Sequence, residues 1–179
     1  MKTLVTGYRP YELGIFKETQ KEVEVLKDFM REKVRAYAET GTEWFILQGF
    51  TGIEFYAAEA MIELREAYGF KFCVLKPFHK FNDRYKEEDQ AKLQHILEES
   101  DFHRFVYDRE YKSPKMFRII SQFLIEHSDQ ALVIYDDEVP AKTRFIYDQM
   151  LEFQMNNPYN IERIQFDEIN AFIDSAYER

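Results

Sequence analysis

The sequence predicts an α/β protein with a doubly wound, mainly parallel sheet and helices on both faces. Three observations support this prediction. Short apolar segments alternate with longer amphipathic segments along the whole chain, as strands and helices do in parallel sheets. Some of the short segments are apolar throughout, which is typical of strands buried on both faces. Glycine and proline stand at the boundaries between segments. With 179 residues, we expect one domain spanning positions 1–179.

The individual elements follow from these patterns. The predicted strands cover residues 3–6, 44–47, 70–75, 102–106, 131–135 and 160–164. Predicted helices cover residues 17–39, 53–68, 89–99, 114–127 and 143–155, because apolar residues recur there at spacings of three and four. Ser113-Pro114 is typical of an N-cap followed by proline at the first helical position. A last helix is predicted to begin at Asp167 as its capping residue.

Composition excludes several classes of protein. The net charge of −9 argues against a protein that grips nucleic acid mainly through its phosphates, since that mode needs a basic face. The single cysteine, Cys73, excludes disulfides within the chain, and a buried strand position is expected for it. No apolar run approaches the ~20 residues of a membrane span, and no signal peptide is evident. These features predict a cytoplasmic protein. A homo-oligomer or a protein partner is compatible with them.

The candidate ligand site lies where the predicted strands end. In open α/β sheets, ligands bind beyond the carboxyl ends of the strands near the switch point. This rule selects the segments after four strands, and within them we predict the following ligand-binding residues: Gly7, Tyr8, Arg9, Gln48, Gly49, Thr51, Gly52, Glu54, Pro77, Phe78 and Asp136. The four histidines show no metal-ligand spacing, so no metal is predicted.

The turn Gly49-Phe50-Thr51-Gly52 precedes a predicted helix. It matches neither a dinucleotide fingerprint nor a P-loop, and a plain turn uses glycine as readily as a ligand site does. Glu54 in the first helical turn is favoured by the helix dipole. It is also a candidate to accept hydrogen bonds from ribose hydroxyls, or to act as a general acid/base. Glu59 lies about 140° further round the helix, so an ion-paired or solvated role is at least as plausible for it.

Arg9 is the predicted anion partner, because its planar guanidinium suits phosphate or carboxylate. A plain surface position is the alternative. Tyr8 is predicted either to stack on a base or to pack in the core. Asp136 opens an acidic run, Asp136-Asp137-Glu138, at the predicted site edge. This run suits ribose or Mg²⁺, or else forms a solvated loop.

Two motifs carry a resemblance to a known family. Residues 5–16, VTGYRPYELGIF, and residues 49–60, GFTGIEFYAAEA, resemble the YpsA-like family of small bacterial proteins. Shorter matches at Lys76-Pro77-Phe78, Ser113-Pro114, Ser128-Asp129 and Tyr135-Asp136 extend the resemblance over nearly the whole chain. It implies a Rossmann-like fold of the superfamily that joins the DNA-processing protein DprA (Smf) with the LOG "lysine decarboxylase-like" proteins. That superfamily implies a nucleotide or nucleotide-derived ligand.

The chain departs from both of these relatives. Gly52-Ile53-Glu54 and Ala57-Ala58-Glu59 are similar to a DprA motif, but Glu59 stands where DprA has histidine. The basic Arg-Asn-Arg of DprA falls on residues 120–122, which are Ile-Ser-Gln. The arginine that LOG enzymes use falls near Ile120, and residues 135–140 replace their glycine-rich catalytic loop.

The sequence therefore predicts a protein that binds a nucleotide or nucleotide-derived ligand, acting as a sensor or regulatory module. One alternative is a LOG-like N-glycosidic hydrolase with Glu54 as general acid/base. A second alternative is a DprA-like module that handles single-stranded DNA, against which the acidic charge argues.

Overall fold

A computed structural model describes residues 1–177 of the chain. The strands are β1 (Lys2–Gly7), β2 (Trp44–Leu47), β3 (Lys71–Lys76), β4 (Phe102–Phe105), β5 (Gln130–Ile134) and β6 (Asn160–Ile164). The helices are α1 (Lys21–Glu39), α2 (Ile53–Tyr68), α3 (Glu87–Glu99), α4 (Lys115–Glu126), α5 (Thr143–Gln154) and α6 (Phe166–Ala176). A short 3-10 helix at Pro10–Leu13, which the sequence did not predict, follows β1.

The six strands form one parallel sheet in the order β4-β3-β2-β1-β5-β6. The chain moves outward from β1 to β4, then returns past β1 to β5 and β6. Right-handed connections therefore place α1, α2 and α3 on one face and α4 and α5 on the other. Helix α6 contacts α1 and so joins the first face. The predicted doubly wound, Rossmann-like α/β fold is confirmed.

The core lies on both sides of the central strands. All five residues of β5 and the last five of β1 are buried, as expected for strands that are covered on both faces. The outer strand β4 is mostly exposed. Its Phe102 ring lies 5.5 Å from the ring of Trp44 on β2, and the two rings cover the strand between them. The sheet is thus most completely buried at β1 and β5.

Cys73 is buried on β3, as predicted. Burial raises the pKa of its thiol to about 12, which keeps it protonated and unreactive near neutral pH. Within residues 1–177, none of the helices combines the length and hydropathy needed to cross a bilayer.

Candidate functional site

The end of β1 and the turn before α2 are in direct contact. The amide of Ile53 donates a hydrogen bond to the carbonyl of Tyr8 at 3.0 Å. Gly52 has φ of +86°, and a Cβ there would lie 2.3 Å from the Tyr8 carbonyl oxygen. A Cβ on Gly7 would lie 2.9 Å from side-chain atoms of both Ile53 and Ile134. Two of the predicted glycines are therefore required for the close approach of these segments.

The Glu54 carboxylate lies beneath the turn and is 1% exposed. Its Oε1 accepts hydrogen bonds from the amides of Gln48 at 2.7 Å, Gly49 at 3.0 Å and Phe50 at 3.4 Å. Its Oε2 accepts from the Thr6 hydroxyl at 3.0 Å and from the Gln48 side-chain amide at 3.3 Å. Both oxygens are thus occupied by protein donors, and the carboxylate holds the turn against β1.

Burial raises the pKa of Glu54, while the hydrogen bonds from Gln48, Thr6 and Gly49 and the nearby charge of Arg9 oppose that rise. The buried position of Glu54 does not suit the two roles predicted for it, ribose binding and general acid/base catalysis. Contact with a ribose, or proton transfer to a substrate, requires an exposed oxygen. The structure instead makes Glu54 a residue that shapes the turn, and Gln48 its buried partner.

Arg9 lies over the turn. Its guanidinium carbon is 4.1 Å from the centre of the Phe50 ring, in the geometry of a cation–π contact. Its backbone amide donates to Glu12 at 2.7 Å, which fixes the start of the 3-10 helix. Among residues 1–177, no carboxylate oxygen lies within 4.0 Å of the Arg9 guanidinium. Arg9 is half-buried. Within residues 1–177 its charge has no direct ion pair, although it lies near enough to Glu54 to oppose the rise in the pKa of that carboxyl.

Aromatic residues that the sequence analysis did not select surround the turn. The Phe50 ring contacts Phe81, and Phe81 contacts Tyr85, at centroid distances of 6.3 and 6.0 Å. The Tyr85 hydroxyl donates to the Gly49 carbonyl at 2.9 Å. Phe81 and Tyr85 lie between β3 and α3, a segment from which the site prediction took only Pro77 and Phe78. The overall aromatic content of 17% is a general signal and does not single out these two residues. Thr51, the next residue after Phe50 in the turn, is partly exposed.

Tyr8 is a core residue, with 1% of its surface exposed. Its ring stacks on Phe166 at 5.6 Å. Its hydroxyl accepts a hydrogen bond from the Asp136 amide at 2.8 Å and lies 2.8 Å from the Val139 carbonyl oxygen. Burial raises its pKa to about 12. Of the two predicted roles, packing is the one that the structure favours: Tyr8 fills the crevice between β1 and β5, where the strand order reverses.

The Asp136 carboxylate is also hydrogen-bonded to backbone amides. Its carboxylate accepts from the amides of Glu138 at 2.9 Å and Phe166 at 3.0 Å, and these bonds lower its pKa. Asp136 thereby caps α6. The prediction that Asp167 caps this helix was wrong, because the helix begins one residue earlier, at Phe166. Asp137 pairs with Arg163 at 2.8 Å, so part of the acidic run is engaged on the surface.

Pro77 and Phe78 follow β3 and are buried. The Phe78 ring contacts Tyr111 and Phe117 at 5.3 and 5.6 Å, so it anchors the segment before α4. Glu59 pairs with Lys27 at 3.3 Å, which is the ion-paired role considered for it. The structure thus brings Gly7–Arg9 and residues 48–54 together, while Phe78 belongs to a separate aromatic cluster.

Two surface grooves lie near this edge, on the α1 face of the sheet. One, of about 420 Å³, is bounded by the 3-10 helix, α1 and α6, and its apolar lining includes Leu13, Val25 and Phe166. The other, of about 370 Å³, lies between α2 and α3. Phe166 stacks on Tyr8, so the first groove adjoins the end of β1. Neither groove has Arg9 or Thr51 in its lining.

Comparison with known proteins places the chain in a family. The sequence profile of the YpsA family, described as "YspA SLOG family", matches residues 3–169. UPF0398 proteins from Staphylococcus aureus strains JH9 and COL are each 37% identical over 171 residues, which cover 95% of this chain and 91% of each relative.

Among solved structures, DprA from Streptococcus pneumoniae is similar, with a TM-score of 0.60 and 13% sequence identity. The match covers 98% of this chain and 56% of that chain, so the likeness concerns the fold. DprA from Helicobacter pylori matches with a TM-score of 0.49 and 16% identity. The profile match and the staphylococcal relatives together establish the relationship: this chain belongs to the YpsA family of SLOG proteins.

Proposed function

We propose that this protein binds a nucleotide or nucleotide-derived ligand at the edge formed by Arg9, Phe50 and Thr51, and that it acts as a sensor or regulatory module. The observation that carries the proposal is the position of Arg9. It is half-buried, stacked on an aromatic ring and unpaired by any carboxylate among residues 1–177. A fixed arginine beside an aromatic ring offers both an anion contact and a stacking surface, the two features that a phosphorylated nucleoside presents.

Backbone groups support the same placement. The turn before α2 lies at the carboxyl end of β2, where the N-terminus of a helix attracts negative charge. The amides of Glu54 and Phe55 donate to no carbonyl within the described part of the chain. In this proposal they contribute to anion binding with Arg9. The buried Glu54 holds the turn in the conformation that presents them.

The geometry favours binding over glycosidic hydrolysis. The hydrolase alternative uses Glu54 as general acid/base, and that role requires a carboxyl oxygen within hydrogen-bond reach of the substrate. Both Glu54 oxygens accept protein donors and the residue is 1% exposed. Arg9 and the surrounding rings supply recognition without a proton-transfer group of this kind.

The test is ligand-induced thermal stabilisation. Nucleoside mono-, di- and triphosphates and nucleotide sugars are screened at millimolar concentration against the parent protein. Affinities of those that raise Tm are then measured by calorimetry. Arg9→Ala is expected to weaken binding at least 30-fold, because a charge-assisted bidentate contact contributes about 2 kcal/mol or more. Arg84→Ala removes an exposed arginine from the segment after β3 and serves as the matched control.

Two further measurements separate the alternatives. Chromatography of the same mixtures detects free base, which a hydrolase releases and a sensor does not. Titration with single-stranded oligonucleotides at low and high salt tests the DNA-handling module, since phosphate-driven binding falls steeply with salt. A panel that never shifts Tm, or an Arg9→Ala variant with parental affinity, contradicts the proposed site.

A further inference from the structure

We infer that the outer face of α4 and α5 is a self-association surface through which two copies of this chain form a weak dimer. This inference is independent of the ligand proposal. The α4/α5 face is defined by its exposed apolar side chains. They are Ile119, Phe123, Phe145, Leu151 and Met155.

These side chains are concentrated on one side of the molecule. Phe145 and Met155 are 71% and 81% exposed. Ile119 and Phe123 stand four residues apart on α4, so they lie on one side of that helix. Leu151 lies on α5, and Met155 follows four residues later, at the cap just past the end of that helix. The four helices on the other face of the sheet, with their cap residues, expose two large apolar residues, Tyr68 and Tyr177. Large exposed apolar surfaces on otherwise charged proteins mark interaction sites.

Charged residues have the opposite distribution to the exposed apolar residues: their excess lies on the other face of the sheet. Helices α4 and α5 carry three basic and three acidic residues, so the pair is neutral. Helices α1, α2, α3 and α6 together carry seventeen acidic and seven basic residues. That excess accounts for the net charge of −9.

This distribution selects a second copy as the partner. Two chains of charge −9 repel each other if their acidic helices meet, whereas the α4/α5 faces bring neutral surfaces together and keep the acidic layers on the outside. A polyanion finds no basic excess on this face. Arg118 and Glu152, paired at 3.0 Å with both side chains exposed, add a polar pair that two-fold symmetry places on both partners.

The size of the face predicts the strength of the dimer. A helix of 12 residues is about 18 Å long, and two packed helices lie about 10 Å apart. The face is therefore roughly 18 by 20 Å, or about 360 Å² in projection, which is less than the about 800 Å² per partner of a standard specific interface and fits a weak, transient contact. We expect dissociation in the range of tens of micromolar.

Sedimentation velocity of the full chain from about 1 to 500 μM tests the inference. The parent protein is expected to pass from monomer to dimer over this range. Phe145→Glu and Met155→Glu are expected to weaken association at least ten-fold, because each places a charge on a neutral apolar surface. Phe16→Glu changes an aromatic residue that is 65% exposed outside this face, and it should leave association unchanged. Circular dichroism verifies that each variant is folded.

Salt and cross-linking give independent readouts. Raising NaCl to 0.5 M should maintain or strengthen the dimer, since it screens repulsion between acidic chains. Cys73 is the sole cysteine and is buried, so Met155→Cys introduces an accessible thiol. A bismaleimide, which adds to one thiol at each end, should cross-link the Met155→Cys variant into dimers and leave the Phe16→Cys variant uncross-linked. A monomer at every concentration, a dimer that dissolves in salt, or parental association of both glutamate variants overturns the inference.

Discussion

The turn after β2 and the loop after β5 are each held in place by a carboxylate that accepts hydrogen bonds from backbone amides. In the first, Glu54 is buried and accepts amides from its own turn together with the Thr6 hydroxyl of β1. In the second, Asp136 lies nearer the surface and caps the distant helix α6. The turn after β2 is therefore a rigid element locked into the core. The loop after β5 is held by fewer and more exposed bonds, with the Tyr8 hydroxyl as its buried contact.

The comparison indicates where the protein tolerates change. Because the buried carboxylate is occupied by five donors, the proposed ligand contacts are Arg9, which lies over the turn, and Thr51 within the turn. A surface carboxylate that caps a helix can be replaced at smaller cost. Four substitutions test this difference in rigidity.

The largest effect is expected for Gly52→Ala. A Cβ at this position lies 2.3 Å from the Tyr8 carbonyl oxygen, and φ is +86°. The turn must separate from β1, so we expect a loss of about 4 kcal/mol or more, or failure to fold. Gly14→Ala is the control, since its φ is +71° but its Cβ meets no atom within 4 Å. It should cost about 1 kcal/mol in urea unfolding. Equal losses for both variants contradict a tight contact at the turn.

Glu54→Gln is expected to cost about 3 kcal/mol in the free energy of unfolding. The glutamine oxygen still accepts from three backbone amides, but its NH₂ group faces the donors of Thr6 and Gln48. The variant also loses the charge-assisted character of these hydrogen bonds. Glu59→Gln, on the same helix but 40% exposed in its ion pair, should change stability by less than about 1 kcal/mol. Urea unfolding of both variants checks the difference. If the Glu54→Gln variant has the stability of the parent, the carboxylate does not hold the turn against β1.

Tyr8→Phe is expected to cost about 2 kcal/mol, because the partly buried Asp136 amide loses its acceptor. The pH dependence of stability at alkaline pH gives a second test of the role of Tyr8. The pKa of Tyr8 is about 12 in the folded protein and about 10 in an unfolded chain. The unfolded chain therefore loses this proton first, and the contribution of Tyr8 to stability declines as pH rises from 10 to 12. In the Tyr8→Phe variant, the free energy of unfolding should fall less steeply with pH in this range. The difference in slope should correspond to at most one proton. Tyr11→Phe, at an exposed position, is the control.

Asp136→Asn should have the smallest effect, with a decrease in Tm below that of Tyr8→Phe. Hydrogen bonds from two amides lower the pKa of Asp136, so its stabilising contribution is complete above the unfolded-state pKa and is lost as pH falls through the folded-state pKa. The difference in Tm between parent and variant should narrow between pH 5 and pH 3. Asp83→Asn, at an exposed position, is the control. A difference that is constant with pH indicates that the charge of Asp136 is not involved.

Much of the fold could be predicted from local patterns. The bounds predicted for β2, α2 and β6 match the structure, because apolar runs and flanking glycines mark them clearly. The 3-10 helix after β1 has no comparable periodicity. The cap of α6 comes from Asp136, 30 residues before the helix begins, and no local pattern contains that information.

The candidate site was predictable in location and less so in detail. The carboxyl-end rule brought Arg9 and the turn at 48–54 to one place. Whether Glu54 points outward to a ligand or back under its own turn depends on the Thr6 and Gln48 donors, which tertiary packing supplies. The stacking of Arg9 on Phe50 also requires two strands to be neighbours, and it was not visible in the order of residues.

The fluorescence of Trp44 should report on the outer part of the sheet and not on the region around Arg9. It is the sole tryptophan, and it stands at the first position of β2 beside Phe102. Gly49 follows five residues later, about 16 Å along the strand direction at ~3.3 Å per residue. Intrinsic fluorescence should therefore report detachment of the outer strand during unfolding. Occupancy at Arg9 should leave the emission nearly unchanged, so binding studies need a different signal.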